Sequence, residues 1–438
     1  MSEPGHNQPP VTKSEIGGWA FFDFANSSYV TVVITVIYAP FFAEYIVPAE
    51  SGLRTSYWSL AIAISTLIAL TMAPLVGSVC DLSGNKKRYL IGTTIICSIA
   101  TMLLTMVGPG DVPLAIALVA ISYATFMLSE SFCGAFLTDI ATPQNMGVIS
   151  GLGWGIGYFG GIASLLMVKA LVTADPSTDL DLYISQNQTA MGATGLFFLV
   201  AALPTFLLVK NRTQPVSGFE NASTGALFSE GFKRLKTTIT NAREHETFFR
   251  FLCSFLFYYA GMSACISFSG IFAKVELKLS TGELVMFFLV IQLCSAIGAL
   301  LFGFVDKKFG PRFTVLTTIY LWILGSLLMA GLDPISSALG TDPKNVFQFT
   351  GFILGLGVGS MQSSSRAVVG LLAPAEKSAE MFGFWGTFSR LAALLGMAFG
   401  PLADILGSLQ LACLLLVVFF GIGAVLLARI DLDAAIER

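Results

Sequence analysis

The stretch GWAFFDFANSSY, residues 18–29, places a carboxylate and an amide at the start of an apolar run that continues as VTVVITVIYAPFF. In a helix, which turns by about 100° per residue, Asp23, Asn26 and Ser27 share one face. A charged side chain at membrane depth costs several kcal/mol unless it faces water or a partner. These three residues are therefore candidates for binding a polar solute or carrying a proton. The alternative is that Asp23 caps a neighbouring helix or pairs with a loop lysine.

Two further charged residues fall inside apolar stretches, Glu130 in YATFMLSESFCG and Arg390 in WGTFSRLAALLG. Burial disfavours the charged form of a carboxylate, so Glu130 suits a proton carrier. Arg390 could hold a carboxylate of the substrate through two parallel hydrogen bonds, which would fit an amino acid or another organic anion. A structural ion pair between Arg390 and Glu130 is an equal alternative.

Two other polar residues belong to the candidate set. Arg366 follows QSSS near the end of an apolar stretch, where an arginine more often extends to the lipid headgroups than binds a ligand. Gln292 could offer neutral hydrogen bonds to a solute. Both histidines, His6 and His245, lie outside the apolar stretches, so a histidine proton relay is not expected.

The elements that hold these residues follow from composition. Of 438 residues, 55% are hydrophobic and 12% are charged, and the mean hydropathy is +0.77. Soluble domains carry about 25% charged residues, so we expect an integral membrane protein. The net charge of −3 and the lack of basic, aromatic stretches indicate no nucleic-acid partner. The seven cysteines stand singly without metal-ligand spacing, so no metal site is expected.

Twelve apolar runs are long enough to cross about 30 Å of hydrocarbon as helices. They are residues 17–46, 55–80, 88–108, 112–136, 147–172, 190–210, 248–273, 280–304, 313–332, 346–368, 379–404 and 407–430. The sequence thus predicts an all-α membrane protein with two pseudo-symmetric bundles of six helices. The predicted segments are a cytoplasmic N-terminal tail 1–16, a bundle 17–210, a central cytoplasmic loop 211–247, a bundle 248–430 and a cytoplasmic tail 431–438.

Lysines and arginines lie mostly on one side of the predicted spans. Most of the 24 in the chain fall in the tails, in the central loop, and in the short loops GNKKR and DKKFGPR. Positive residues favour the cytoplasmic side of a membrane, so both termini are expected there. The short loops and the lack of a targeting segment favour a bacterial inner membrane.

Parts of the two halves repeat along the chain. ATPQNMGVISGLGWG before the fifth span matches LAPAEKSAEMFGFWG before the eleventh in the places of a proline, a tryptophan and a glycine. GSVCDLSGNKKR after the second span similarly matches GFVDKKFGPR after the eighth. Parallel repeats around a polar loop are typical of transporters whose halves rock about a substrate site near the midplane.

The first of these loops resembles the signature loop of the major facilitator superfamily, with Leu82 where that family usually has an arginine. The resemblance implies that the loops latch the cytoplasmic ends of neighbouring helices in one of two access states. The latch residues that it implies are Gly77, Asp81, Gly84, Lys86, Lys87, Asp306, Lys307, Lys308, Gly310 and Arg312. A basic loop that only fixes topology is the alternative.

Three stretches narrow the resemblance: DFANSSY, AFLTDIATPQNMGVISGLGWGIGYFGG and QSSSRAVVGLLAPAEKSAEMFGFWGTFSR. They resemble the vacuole-effluxer branch of the superfamily, which includes the autophagy-related amino-acid effluxer of fungal vacuoles. The resemblance implies efflux of a small solute, with amino acids or similar metabolites as the substrate class. The expected partners are that substrate and the lipid bilayer. We expect a monomer without a cofactor, with coupling to protons as one mechanism.

Glycines recur at four-residue spacing in the fifth span, where small residues let helices approach closely. The predicted packing glycines are Gly147, Gly151, Gly155, Gly157 and Gly161, with Gly396 and Gly400 in the eleventh span. The fifth span has no Gly-Pro pair, so the sequence gives no support for antiport from the signature of that helix.

Secondary active transport of a small solute is the favoured function, because buried charges would weaken a fold that needed packing alone. The alternative is a membrane sensor or assembly protein that keeps the fold without transporting anything. The sequence contains no nucleophile with its base, no metal cluster and no nucleotide-binding loop, so an enzyme is not expected.

Overall fold

The computed structural model describes residues 10–48, 54–220, 222–279 and 281–432, and those ranges contain helices and no strands. The predicted all-helical fold with twelve spans is confirmed. Residues 1–9, which include His6, and residues 433–438 belong to the predicted tails and lie outside the described residues.

The twelve spans are labelled by their main helices. These are α1 Lys13–Tyr29, α2 Arg54–Ser83, α3 Lys86–Leu103, α4 Val112–Ala135, α5 Met146–Leu171, α6 Leu180–Ala201, α7 Glu246–Val275, α8 Thr281–Phe309, α9 Pro311–Ala330, α10 Pro343–Leu372, α11 Ser378–Gly396 and α12 Leu409–Ala428. Shorter helical segments extend or join them: Val30–Val36, Tyr38–Phe41, Phe42–Ile46, Leu104–Met106, Leu137–Ile140, Leu203–Leu208, Ala242–His245, Leu332–Leu339, Ala375–Lys377 and Phe399–Leu406. A separate helix, Thr224–Thr240, lies in the predicted central loop and is called the linker helix.

Hydropathy alone accounts for most of the spans. Eleven of them contain a helix long and apolar enough to cross a membrane. The exception in the described residues is α10, because glutamine, serine and glycine residues interrupt its apolar sequence. It is nevertheless a 30-residue helix with most of its second half buried. A helix enclosed by protein needs no lipid-compatible surface, so α10 can carry polar groups into the interior.

Capping side chains define the first residue of several helices more precisely than the hydropathy of the sequence does. The predicted sixth span starts at residue 190, but α6 begins at Leu180 because Asp179 accepts the Leu182 N–H at 3.0 Å. Asp342 likewise accepts the Lys344 N–H at 2.8 Å and starts α10 at a proline, which suits the first helical position.

The first span is not a uniform α-helix. It changes from α-helical to π-helical at Val30–Val36, and a second π-helical segment, Phe42–Ile46, follows Tyr38–Phe41. The β-branched run VTVVITV crowds an α-helical turn, which favours this local widening. Asp23 therefore lies in the regular α-helical part of the span, before the change.

The helices form two compact units. The first comprises residues up to Ala141 together with Phe159–Lys236 and Pro374–Gly383. The second comprises Thr142–Tyr158, Thr237–Ala373 and the residues from Phe384 onward. The start of α5 thus belongs to the second unit and the start of α11 to the first. The bundle limits 17–210 and 248–430 remain a prediction from the sequence.

Small residues set the packing of α8 on α10 in the second unit. Ser295 Oγ donates to the Gly355 carbonyl at 2.9 Å. A Cβ on Gly298 would lie 2.8 Å from the Cα of Leu356, so only a glycine allows this approach. This contact fixes the helix that carries Arg366.

Candidate functional site

Two hydrogen bonds join α1 to α4 within the first unit. Trp19 Nε1 donates to the Cys133 carbonyl at 2.8 Å, and the hydroxyl oxygens of Tyr29 and Ser122 are 2.7 Å apart. Residue numbers rise along α1 as they fall along α4, so the two helices run antiparallel. Tyr29 also stacks on Phe126, with ring centroids 5.1 Å apart. These contacts fix the register of α1 on α4.

Asp23 and Glu130 lie at nearly the same depth between those two hydrogen bonds. Asp23 is one turn beyond Trp19 and Glu130 is one turn before Cys133, so each lies about 5 Å along its helix from the same contact. Asp23 is 7% exposed, and Glu130 is half-buried. The structure therefore brings the two predicted carboxylates to one level of the first unit.

Asn26 and Ser27 continue the polar face of α1 that the sequence predicts. Asn26 is buried, whereas Ser27 is half-buried. The Ser27 hydroxyl donates to the Asp23 carbonyl at 2.8 Å, so it is engaged by its own helix. The Asp23 carboxylate and the Asn26 amide are the polar end groups that this face carries.

Arg366 of α10 lies in the interior of the second unit. It is 4% exposed, its Nε donates to Ser150 Oγ at 3.1 Å, and its Nη2 donates to the Ser150 carbonyl at 2.8 Å. Its guanidinium lies 5.3 Å from the ring centroid of Trp154. The expectation that Arg366 extends to the headgroups is wrong, because α5 offers it two oxygens and an aromatic face inside the protein.

Other candidate residues of the second unit lie on α8, α10 and α11. Tyr158 of α5 donates its hydroxyl to Gln362 Oε1 of α10 at 2.6 Å, which makes a second polar contact between those helices. The predicted residues Gln292 and Arg390 are half-buried on α8 and α11. Arg390 Nη1 donates to the carbonyl of Gly386, one turn earlier on its own helix.

Asp81 at the end of α2 caps the start of α11 within the first unit. Its carboxylate is 1% exposed and accepts the N–H groups of Ala379 at 3.1 Å and Glu380 at 2.9 Å. A Cβ on Gly77, one turn earlier, would lie 2.9 Å from the Glu380 nitrogen, so glycine is what allows this approach. Gly84 then takes a φ of +63°, which lets the chain leave α2.

The lysines of the same loop bind the ends of other helices. Lys86 is fully buried, and its Nζ lies 2.9 Å from Asp139 Oδ1 and 3.3 Å from the Ala135 carbonyl oxygen at the end of α4. Lys87 Nζ donates to the Val209 carbonyl at 2.8 Å. The loop therefore joins α2, α4 and the end of the sixth span through charged groups.

Asp306 of the second loop is buried in a different way. It is 5% exposed and lies against the first turn of α5, where a Cβ on Gly147 would overlap its carboxylate. Its Oδ1 has no hydrogen-bond partner in the part of the chain that the structure describes. Asp81 and Asp306 are thus both buried against the first turn of a neighbouring helix, but they differ in their hydrogen bonds.

The remaining residues of the second loop are arranged around the start of α9. Gly310 precedes that helix with a φ of +85°. Lys307 and Lys308 are exposed, and Arg312 Nη2 donates to the Ala428 carbonyl at 2.5 Å, at the end of α12.

The glycines of α5 face α8 in the second unit. A Cβ on Gly151 would overlap the Ala299 carbonyl group, and a Cβ on Gly155 would lie 2.8 Å from Leu300 Cγ. The other predicted packing glycines are buried or face α7: Gly157 and Gly161 are buried, Gly396 faces Ala260 and Gly400 faces Phe268. Close approach of backbones is therefore present along α5.

Comparison with known proteins identifies the family. The sequence profile of the family described as "Vacuole effluxer Atg22 like" matches residues 50–438. The chain belongs to this family. It is 26% identical to YxiO, an uncharacterised MFS-type transporter of Bacillus subtilis, over 433 residues that cover 97% of this chain and 96% of YxiO.

Two further similarities extend across the Atg22-like chain. Autophagy-related protein 22 of Kluyveromyces lactis is 21% identical over 474 residues, covering 97% of this chain and 95% of its own. The E. coli fucose:proton symporter FucP matches with a TM-score of 0.71 at 13% identity, covering 95% of this chain and 97% of FucP, and shows the major facilitator fold. The Atg22-like protein is thus a multi-pass membrane transporter and not an enzyme.

Sequence reasoning missed several partners in this Atg22-like transporter. They are Trp19, Asp139, Ser150, Tyr158, Arg234, Gln362 and Glu380. Asp139 and Glu380 stand inside the stretches that carry the family resemblance, and that placement is the signal that could have drawn attention to them. Arg234 lies in the polar central loop, where nothing in the sequence separates it from the other basic residues.

Proposed function

We propose that this Atg22-like transporter is a secondary active transporter that exports amino acids or similar small metabolites by alternating access, with coupling to protons. The observation that carries the proposal is the placement of Asp23 and Glu130 at one depth on neighbouring helices of the first unit. The family description as vacuole effluxers supports export.

Two carboxylates at one level of a membrane interior suit the movement of a proton or a cationic group. Burial in a membrane interior disfavours the charged form of a carboxylate, so a proton bound to Asp23 or Glu130 lowers the cost of burying that side chain. An ammonium group can take the place of that proton. The Asn26 amide on the same face adds neutral hydrogen bonding for an uncharged part of the solute.

The remaining elements of the proposal concern placement in the membrane. The bias of lysine and arginine supports cytoplasmic termini, and a bacterial inner membrane is the proposed location. We further propose that the transporter works as a monomer. Export then moves the substrate from the side of the linker helix to the opposite side.

Transport by the purified protein in liposomes tests this proposal. The expected result is counterflow of at least one radiolabelled amino acid, with pH-dependent net flux that falls to the protein-free level in Asp23→Asn and Glu130→Gln. Glu44→Gln is the matched control, because Glu44 is an exposed carboxylate of the same first span. A parent protein that moves none of the tested amino acids or related metabolites would support the sensor or assembly role. A flux that does not depend on pH would contradict the proposed coupling to protons.

A further inference from the structure

The first turn of α11 contains a buried carboxylate, that of Glu380, and the residue that caps this turn, Asp81, is also acidic and does not stabilise it. Glu380 is fully buried, and neither of its carboxylate oxygens has a hydrogen-bond partner among the described residues. Asp81 accepts the Glu380 N–H, so a second carboxylate lies beside the same turn. The N–H groups of the helix start favour negative charge only partly, and burial of an unpaired carboxylate costs several kcal/mol.

The linker helix supplies a cation to this turn. Arg234 Nε lies 3.6 Å from Glu380 Oε2, and Arg234 Nη2 donates to the Glu376 carbonyl at 2.6 Å. Lys86, a basic residue of the loop that follows Asp81, is engaged by Asp139 at 2.9 Å. Arg234 is therefore the cation that holds both the charge and the backbone of the start of α11.

The linker helix also contacts α2. Gly231 lies one turn before Arg234 and is buried, and a Cβ at that position would lie 2.7 Å from Val79 Cγ2 of α2. Gly231 and Arg234 share one face of the helix by their three-residue spacing. One face of the linker helix thus contacts the end of α2 and the start of α11 together.

We propose that Arg234 is a positioning residue that keeps the first turn of α11 on α2, and that the linker helix must release Glu380 whenever this contact opens. The inference rests on the alternating-access mechanism proposed above, because it assigns the linker helix to one of the two access states. The segment that connects the two halves of the chain then takes part in the conformational change of the transport cycle.

A matched control lies two residues away on the same helix. Lys236 is exposed, so Lys236→Ala removes an equal charge from the linker helix without touching the α11 turn. The effect of Arg234→Ala is also measured in a variant that carries Glu380→Gln. A neutral glutamine has no buried charge to neutralise, so the loss of Arg234 then removes only its hydrogen bond to the Glu376 carbonyl and has a smaller effect.

Hydrogen–deuterium exchange of the full chain in lipid nanodiscs, without substrate, measures the contact directly. The amides of residues 375–383 report it, because two of them donate to Asp81. We expect Arg234→Ala to raise exchange in this segment by about tenfold or more, Lys236→Ala to leave it unchanged, and Arg234→Ala to have less than about a threefold effect in the Glu380→Gln background.

Two results would overturn the inference: unchanged exchange in Arg234→Ala, or an increase that is equally large in the parent and in the Glu380→Gln background. Size-exclusion behaviour of each variant separates local opening from misfolding, and Arg234→Lys keeps the charge if the alanine variant does not fold. The exchange measurement is independent of the substrate. If the parent protein transports no amino acid but the effect of Arg234→Ala on exchange still depends on Glu380, the proposed substrate is rejected and the proposed role of Arg234 is retained.

Discussion

The carboxylate of Asp81 accepts the backbone N–H of Glu380 at 2.9 Å, although 299 positions of sequence separate the two residues. The same carboxylate accepts the Ala379 N–H at 3.1 Å, so one side chain satisfies two N–H groups of the first turn of α11. Asp306 occupies the matching place in the second loop, but its buried Oδ1 has no partner within residues 10–48, 54–220, 222–279 and 281–432. The two loops are alike in sequence and unlike in bonding.

The difference between these aspartates predicts different costs of removal. Asp81→Ala leaves two buried N–H groups without acceptors and is expected to lower the free energy of unfolding by about 1–3 kcal/mol. Asp306→Ala removes a buried carboxylate whose Oδ1 has no hydrogen-bond partner among the described residues, so we expect a smaller loss or a gain. Unfolding of the purified variants in detergent, followed by tryptophan fluorescence, measures both. An equal cost at the two positions would contradict the structural difference.

The ion pair of Lys86 with Asp139 is a second test of the first loop. Lys86→Met leaves the buried Asp139 carboxylate without its cation and is expected to cost about 3–5 kcal/mol. Adding Asp139→Leu removes the unpaired charge and should restore most of that stability. Lys307→Met is the control, because Lys307 is exposed in the second loop. If the double variant is no more stable than Lys86→Met, the cost does not come from the unpaired charge.

Close packing of α5 on α8 predicts that Gly151 tolerates no side chain. A Cβ there would overlap the Ala299 carbonyl group, so Gly151→Ala should force the helices apart and lower the thermal midpoint of unfolding. Gly421→Ala in α12 has no heavy atom within 4 Å of the added Cβ and should be neutral or slightly stabilising. Differential scanning fluorimetry compares the two. A neutral Gly151→Ala would show that α5 and α8 can separate without cost.

Arg366 should not be replaceable by lysine. Its Nε and Nη2 donate to two oxygens of Ser150, and a single ammonium group cannot reproduce that planar geometry. We expect Arg366→Lys to lower both stability and flux in liposomes. Arg250→Lys is the control, because Arg250 is exposed and pairs with Glu246 one turn earlier. If Arg366→Lys behaves like the parent, a positive charge at this position is sufficient and the planar geometry of the guanidinium is not required.

Single residues also show how far prediction from the sequence extends. The polar face of Asp23 and Asn26 is evident from helical spacing, because that periodicity is local. The depth shared with Glu130 is not, since it depends on the hydrogen bonds from Trp19 and Tyr29 to α4. For Arg366 the sequence shows only its distance from the helix end, which favours the headgroups over a ligand, and it does not show the two oxygens of Ser150 that the guanidinium contacts.

The sequence by itself determined the membrane location, the twelve helical spans, the repeated loops and the family, because each depends on composition or on local order along the chain. The tertiary structure alone decided which buried charges meet. Asp81 meets the start of α11, Lys86 meets Asp139, and Arg234 meets Glu380. A hydrogen bond or an ion pair needs its partners within a few ångströms, and packing sets such distances between residues that are far apart in sequence.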